Sequence, residues 1–396
     1  MKVISSEKIP IKMWLENIEG GALQQAKNLA NLPFAFKHIA LMPDCHEGYG
    51  MPIGGVLATE NVVIPNAVGV DIGCGMRACK LNTFSTILNR EMLLEITEGI
   101  RKEIPLGFKH HLEKQKWSKF EEAPDVPIIQ RELENAKYQL GTLGDGNHFI
   151  EIQKDEDKKI WIMIHSGSRN FGLKIAKEYN DIAKKYCERW HSKVMDISKD
   201  LAFLPIEERD CKDYILAMNY ALLFAKENRK RMMSKIIDIF RSKIEKNTIE
   251  EVIDIHHNYA RWENHFNRNV IIHRKGATSA RSGEIGIIPG SQGTNSYIVE
   301  GLGNPLSFMS CSHGAGRKMG RGEAIRTLSL ESEIKKLNEK GIIHSVEEND
   351  DLQEAPGSYK DIDEVMENQK DLVKIRTKLE PIAVIKSKKR KNEYSR

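Results

Sequence analysis

The sequence predicts an α+β protein, and three observations carry that expectation. Short apolar runs at 62–64, 160–164, 270–272 and 285–288 have the length of buried strands. Glycine, proline, serine and asparagine crowd into two blocks, 42–77 and 273–321. Between these blocks glycine vanishes from about Lys174 to Ile255, and the apolar residues fall into helical spacing.

In chain order, the first block sets glycines at strand ends, where a backbone can approach a ligand closely and turn its N–H groups toward anions. Residues 100–135 mix charges of both signs with Pro105, Pro124 and Pro127, and read as surface connections. The glycine-free stretch 174–255 reads as a helical insert. Within it Met233, Ile236, Ile237, Phe240 and Ile244 recur on one helical face, and a second helix is expected over 216–231 after Pro205. No internal repeat is visible. The two glycine-rich blocks therefore read as one site assembled from distant segments, within a single domain over 1–396 that ends in a basic tail, 387–396.

Composition excludes several classes. A chain of 396 residues buries a core without disulfide staples, and no stretch approaches ~18 uninterrupted apolar residues, so no spanning helix and no membrane partner are expected. The first residues hold no apolar leader segment, and the six cysteines (45, 74, 79, 187, 211 and 311) form no CxxC pair. Both features predict a cytoplasmic protein with reduced thiols. A net charge of +4 is too small to define a partner.

The informative residues are metal-capable side chains at the ends of apolar runs. His148 follows Gly-Asp-Gly-Asn, His165 ends IWIMI, His257 ends VIDIH, His313 sits in SCSHGAG, and Asp71 and Cys74 share VDIGCG. Any one of these could simply bond a carbonyl; five or six together point to a site. One thiolate among imidazoles and a carboxylate argues against a closed structural zinc site. The set suits a catalytic divalent ion such as manganese or zinc, as one ion or as two bridged by Cys74. His46 lies in a similar context, whereas His110, His111 and His256 do not.

Ten ordered motifs span residues 42–386: MPDCHEGYG, VGVDIGCGM, GDGNHFIE, HSGSRNFG, HHNYA, HRKGATSA, IIPGSQGTNSY, SCSHGAGR, APGSYKDI and PIAVIK. In these the chain resembles the RtcB family, the GTP-dependent RNA-splicing ligases. The resemblance implies β-sheets packed inside surrounding helices. It implies a two-manganese site on Asp71, Cys74, His148, His165 and His257, and a nucleophile, His313, that takes GMP from GTP. It also implies guanylate contacts from Asn147, His148, Glu151, His257, Asn258, Pro289, Gly290, Ser291, Gln292, Ser296, His313, Gly314, Ala315, Gly316, Tyr359 and Lys386.

The expected partners are RNA with a 3′-phosphate or 2′,3′-cyclic phosphate and a 5′-hydroxyl, GTP, and an archease-type activator. Arg169, Arg274, Lys275, Arg281 and Arg317 are candidate phosphate contacts, because nucleic-acid affinity is largely phosphate neutralisation. Neither a GxxxxGK[ST] loop nor a K-x-D-G lysine motif is present, so another nucleophile must carry the nucleotide. The block GYGMPIGGVLA departs from the family's GKGATVGSV form. That departure leaves the substrate open between RNA repair, tRNA splicing and 3′-end guanylyl capping of DNA, and the Lys-, Ile- and Asn-rich composition points toward repair. A binuclear metal phosphodiesterase or phosphatase, and an RNA-binding protein using the basic tail, are the competing readings.

Overall fold

The computed structural model of the chain describes residues 1–244 and 247–387, and counts and absences refer to these described residues. Two large sheets organise it. The first has seven antiparallel strands in the order Ile249–His256, Gly75–Phe84, Lys159–Ser166, Phe149–Lys154, Val373–Ile385, Ser296–Gly301 and Ile285–Ile288. The second has six, in the order Lys2–Ile4, Ile11–Met13, Ala35–Tyr49, Met51–Thr59, Arg268–Lys275 and Asn258–His265. A single residue, His257, separates the last residue of one sheet from the first of the other.

Strand periodicity explains the core. Alternate side chains Ile150 and Ile152, with Ile160, Ile162 and Ile164, reach one face of the seven-stranded sheet. There they meet Met232, Met233, Ile236, Ile237 and Phe240 of the 35-residue helix Arg209–Lys243, and Ile96 and Ile100 of helix Arg90–Glu103. Trp161, Met163, Met76 and Ala78 turn to the other face, against Ile287, Ile298 and Leu379. Both faces are covered, which is why IWIMI is an unbroken apolar run. Each such side chain contributes roughly 1.5–3 kcal/mol through burial.

The helical stretch differs from its expected bounds. The helices expected over 216–231 and 233–244 are one helix, Arg209–Lys243, preceded by helix Phe171–Arg189. Helix does not continue to Ile255. Ile249–His256 is a strand whose Val252, Ile253 and Ile255 suit the pleat and pair with Gly75–Phe84. Absence of glycine permits either element, and the pairing decides between them. The expectation of surface connections over 100–135 is corrected in the same way. Residues up to Glu103 finish a helix capped by the Asn89 side chain, which accepts from the Met92 N–H at 2.8 Å. Pro127 opens helix Pro127–Gln139, where its missing N–H costs nothing. Of the tail expected over 387–396, only Ser387 lies within the described residues.

A buried charge network ties the six-stranded sheet to its neighbours. The Glu263 carboxylate, 1 % exposed, accepts from Arg274, from Arg281 at 2.7 Å and from Arg261 at 2.7 Å, and meets His265 at 2.9 Å. Although burial favours its neutral form, these donors hold Glu263 well below the ordinary carboxylate range. Glu263→Gln is expected to lose about 3–5 kcal/mol in urea unfolding, because it strands a buried guanidinium. A depressed carboxylate stabilises above its unfolded pKa of about 4.3 and loses that contribution as pH falls. The difference between wild type and variant should therefore shrink as unfolding is repeated below about pH 4.

Candidate active site

Register brings the metal-capable residues together. Gly75 pairs with His256 on one side and Ser166 on the other, and His165 pairs with both Met76 and Phe149. Cys74, His148, His165 and His257 therefore stand at one end of adjacent strands: Cys74, His148 and His257 one residue outside theirs, and His165 one residue before the end of Lys159–Ser166. The His257 N–H donates to the Cys74 carbonyl at 2.9 Å and closes this end.

The donor atoms form a continuous chain. Asp71 Oδ2 lies 3.1 Å from His148 Nε2, which lies 3.4 Å from Cys74 Sγ. Cys74 Sγ is 3.2 Å from His165 Nε2, and that atom is 3.4 Å from His257 Nε2. The Cys74, His148 and His165 donors all fall within 4.8 Å of one another. His148 Nδ1 faces the Leu143 carbonyl and His165 Nδ1 the Asn147 carbonyl, each at 3.0 Å. Carbonyls only accept, so each Nδ1 carries a proton, and each Nε2 is the ring nitrogen turned to the cluster.

Burial and the neighbouring imidazoles push His165 and His257 well below the ordinary histidine range, and burial pushes the Cys74 thiol well up. Neutral imidazoles whose lone pairs converge on a sulfur atom, backed by carbonyls, fit a divalent cation. His257 Nδ1, buried without a hydrogen-bond partner among the described residues, adds an unspent polar atom. Asp71 remains 32 % exposed and opens to a second cavity of about 430 Å³ that Arg169 also lines.

His313 follows the short strand Ser310–Ser312, which pairs with Ala277–Ser279. Its ring centroid lies 4.8 Å from that of His257, next to the cluster. Asp44 Oδ2 accepts from the His313 backbone N–H at 3.0 Å and meets its Nδ1 at 2.6 Å. This doubly anchored ring keeps its Nδ1 proton against the carboxylate and frees Nε2. Gly316, at φ +73, packs where a Cβ would strike the Asp44 backbone, so the SCSHGAG turn requires glycine there.

In front of His313 lies a cavity of about 690 Å³. Its walls include Asn147, Glu151, Pro289, Gly290, Ser291 and Gln292, then Gly314, Ala315, Gly316, Tyr359 and Lys386. Burial pushes the Glu151 carboxyl up to about 8 and the Lys386 ammonium down. His148 and His257 belong to the cluster behind this wall. Asn258 is a brace, donating to the Asp71 carbonyl at 3.0 Å and accepting from the Gly276 N–H at 2.8 Å. Ser296 sits behind the wall, its hydroxyl accepting from the Gly290 N–H at 3.2 Å.

The five candidate phosphate contacts separate. Arg317 lines the large cavity, over the Tyr359 ring and 3.3 Å from Glu354. Arg169 lines the second cavity and donates to Thr142 Oγ1 at 3.0 Å and the Gly107 carbonyl at 3.3 Å. Arg281 is partly exposed and paired with Glu263. Arg274 and Lys275 do not fit the expectation. Arg274 is fully buried on Glu263, Ser310 and the Phe308 carbonyl. Lys275 spends its ammonium on the Tyr49 and Asn66 carbonyls, and burial pushes it down to about 7. Neither offers a free donor to a strand of RNA.

Asp44 is the residue that sequence reasoning missed. It stands inside the quoted MPDCHEGYG motif, but nothing in sequence shows that an acid 269 positions away faces His313. His46 lines the same cavity, held neutral by burial and the adjacent His313, with its pKa down to about 4. His256 bonds the Gly73 carbonyl at 3.1 Å and supports the Cys74 turn.

Comparison with known proteins finds one family. The model of the family described as "tRNA-splicing ligase RtcB" matches residues 25–126 and 115–387. The RNA-splicing ligase RtcB of Escherichia coli K12 is 40 % identical over 411 residues, covering 97 % of this chain and 99 % of that protein. The tRNA-splicing ligases RtcB of Nanoarchaeum equitans and Pyrobaculum aerophilum are each 33 % identical, over 98 % and 96 % of this chain and 95 % of each of those proteins.

If the strand-end cluster holds manganese, Cys74→Ser should bind it about 10- to 100-fold more weakly in isothermal titration, because a hydroxyl is a poor substitute for a thiolate. Wild-type metal content in the variant would remove Cys74 from the ligand set.

Proposed function

The chain belongs to the RtcB family, and on that footing we propose that it joins RNA 3′-phosphate or 2′,3′-cyclic phosphate ends to 5′-hydroxyl ends, using GTP and manganese through a covalent His313–GMP. One observation carries the reading. The Asp44-anchored imidazole of His313 stands between a cluster of metal donors and a cavity of nucleotide size.

The chemistry follows from the named atoms. Asp44 holds the Nδ1 proton, so His313 Nε2 attacks the α-phosphorus of GTP; the P–N bond forms as the bond to pyrophosphate breaks. Asp71, Cys74, His148, His165 and His257 would hold manganese, which would supply phosphate charge neutralisation and Lewis acidity there. Gly314, Ala315 and Gly316 line the cavity, where small residues let phosphate oxygens approach the main chain; the Ala315 N–H itself is held by the Pro289 carbonyl at 3.0 Å. An RNA 3′-phosphate oxygen then takes GMP from His313, and a 5′-hydroxyl displaces GMP to form the phosphodiester. Splitting one hard displacement into successive easier ones is the benefit of the covalent step.

Base choice falls to Glu151. An ionised carboxylate accepts from the N1–H and amino group of guanine; adenine offers no N1–H in that place. Burial holds the Glu151 carboxyl up to about 8, so its ionised form depends on the donors that face it, Gln153 first and then Lys386, joined by the guanine N1–H and amino group; the Tyr359 ring lies in the same wall to meet the face of the base. Arg317 and Arg169, which line the two cavities on either side of the cluster, are the phosphate contacts retained in this proposal.

The direct test is labelling with α-³²P GTP and manganese. Acid-labile label should appear on the protein and vanish in His313→Ala, whereas a binuclear phosphodiesterase or phosphatase would carry none. Asp44→Asn should slow labelling by about 10²-fold or more, the cost of losing a charged partner that sets the imidazole proton. Glu151→Gln should narrow the preference for GTP over ATP by about 10- to 100-fold, read from labelling rates with the two nucleotides.

A further inference from the structure

We propose that Asn228 and Arg229, neighbours in the middle of helix Arg209–Lys243, are positioning residues that set the spacing of the metal donors. The inference rests on the reading of the strand-end cluster as a metal site. Both side chains are fully buried, and both are spent on the segments that carry the donors.

The Arg229 Nη1 donates to the Gly73 carbonyl at 3.1 Å and the Ser166 carbonyl at 2.9 Å, the residues bonded to Cys74 and His165. Its Nε and Nη2 grip the two Asp254 oxygens at 3.3 and 2.7 Å, on the strand that leads into His257. Asn228 Oδ1 accepts from the Gly141 and Thr142 N–H groups at 2.7 and 3.0 Å. Its Nδ2 donates to the Thr142 carbonyl at 3.0 Å and to Ser166 Oγ at 3.1 Å. Ser166 Oγ in turn donates at 2.7 Å to the Leu143 carbonyl, which also receives His148 Nδ1. Two consecutive residues thus reach the segments bearing Cys74, His148, His165 and His257.

The helix can do this because it lies against the turn. A Cβ on Gly73, which stands at φ +77, would lie 3.1 Å from Ala225 Cβ and 3.2 Å from the Ala221 carbonyl, so small residues on both partners permit the approach. Consecutive helical residues stand about 100° apart, so Asn228 and Arg229 cover two neighbouring sectors of the buried face. Donors fixed only by their own strands could shift by tenths of an ångström. Bound to one rigid helix, they shift together.

The test uses the full-length protein as wild type, Asn228→Ala and Arg229→Lys, with Glu263→Gln as a variant destabilised elsewhere. Manganese affinity is read by titration, and cobalt(II) is substituted to read the thiolate-to-metal charge-transfer band. The two helix variants should bind about 10- to 100-fold more weakly with an altered cobalt spectrum, and GTP labelling should recover at raised manganese. Glu263→Gln should bind as wild type does. If Asn228→Ala does not fold, Arg229→Lys decides, since it keeps the charge but cannot span both carbonyls. Wild-type affinity and spectrum in a destabilised helix variant would reduce the pair to ordinary packing. A wild type that binds no metal overturns the metal reading, and this proposal with it; unaffected variants of a metal-binding wild type overturn this proposal alone.

Discussion

Converging lone pairs are the constraint on which the rest of this structure depends. Antiparallel register delivers a thiol and three imidazoles to one sheet end, with Nε2 and Sγ atoms 3.2 to 3.4 Å apart. Such an arrangement is costly for buried groups unless something positive lies among them. Carbonyls on Nδ1 of His148 and His165 fix which nitrogen faces inward, so the backbone itself turns Nε2 toward the cluster. The surrounding protein serves this end of the sheet. The long helix covers one face, the six-stranded sheet starts one residue past the end of Ile249–His256, and the short Ser310–Ser312 strand brings His313 beside His257.

Burial sets the protonation states on which the proposed chemistry needs to draw. His165, His257 and His46 are kept neutral, and the Lys386 ammonium is weakened. Charges that persist in the interior are paired or aimed. Asp44 faces the ring of His313, Arg229 faces Asp254, and Glu263 gathers Arg274 with its neighbours. That last network explains why basic residues in a motif need not touch a ligand. Arg274 and Lys275 adjoin the turn at Gly276, next to the His313 ring, yet both direct their charge into the protein and hold the turn from behind.

Local order was legible in the chain. Strand-end histidines after apolar runs, glycine where backbones approach, and the helical spacing of Met233, Ile236, Ile237 and Phe240 are properties of short windows, and the elements follow them. The stretch near Ile255 was misread because glycine-free, β-branched segments suit helix or strand until a partner pairs with them. The donors that meet at the sheet end were readable as a list, since each carries its own local signature.

Partnership across the chain was not readable. Asp44 faces His313 from 269 residues away, Arg229 reaches Gly73 from 156, and Glu263 draws Arg274 out of any contact with solvent. Such pairings have no window in which to leave a period or a spacing. The amino-acid order determined the elements and the residue types at their ends, because steric and hydrophobic preferences act over a few residues. Only the packed structure decided which ends meet, which charges are spent inside and which nitrogen is free, because those depend on distances set by sheet register and helix packing.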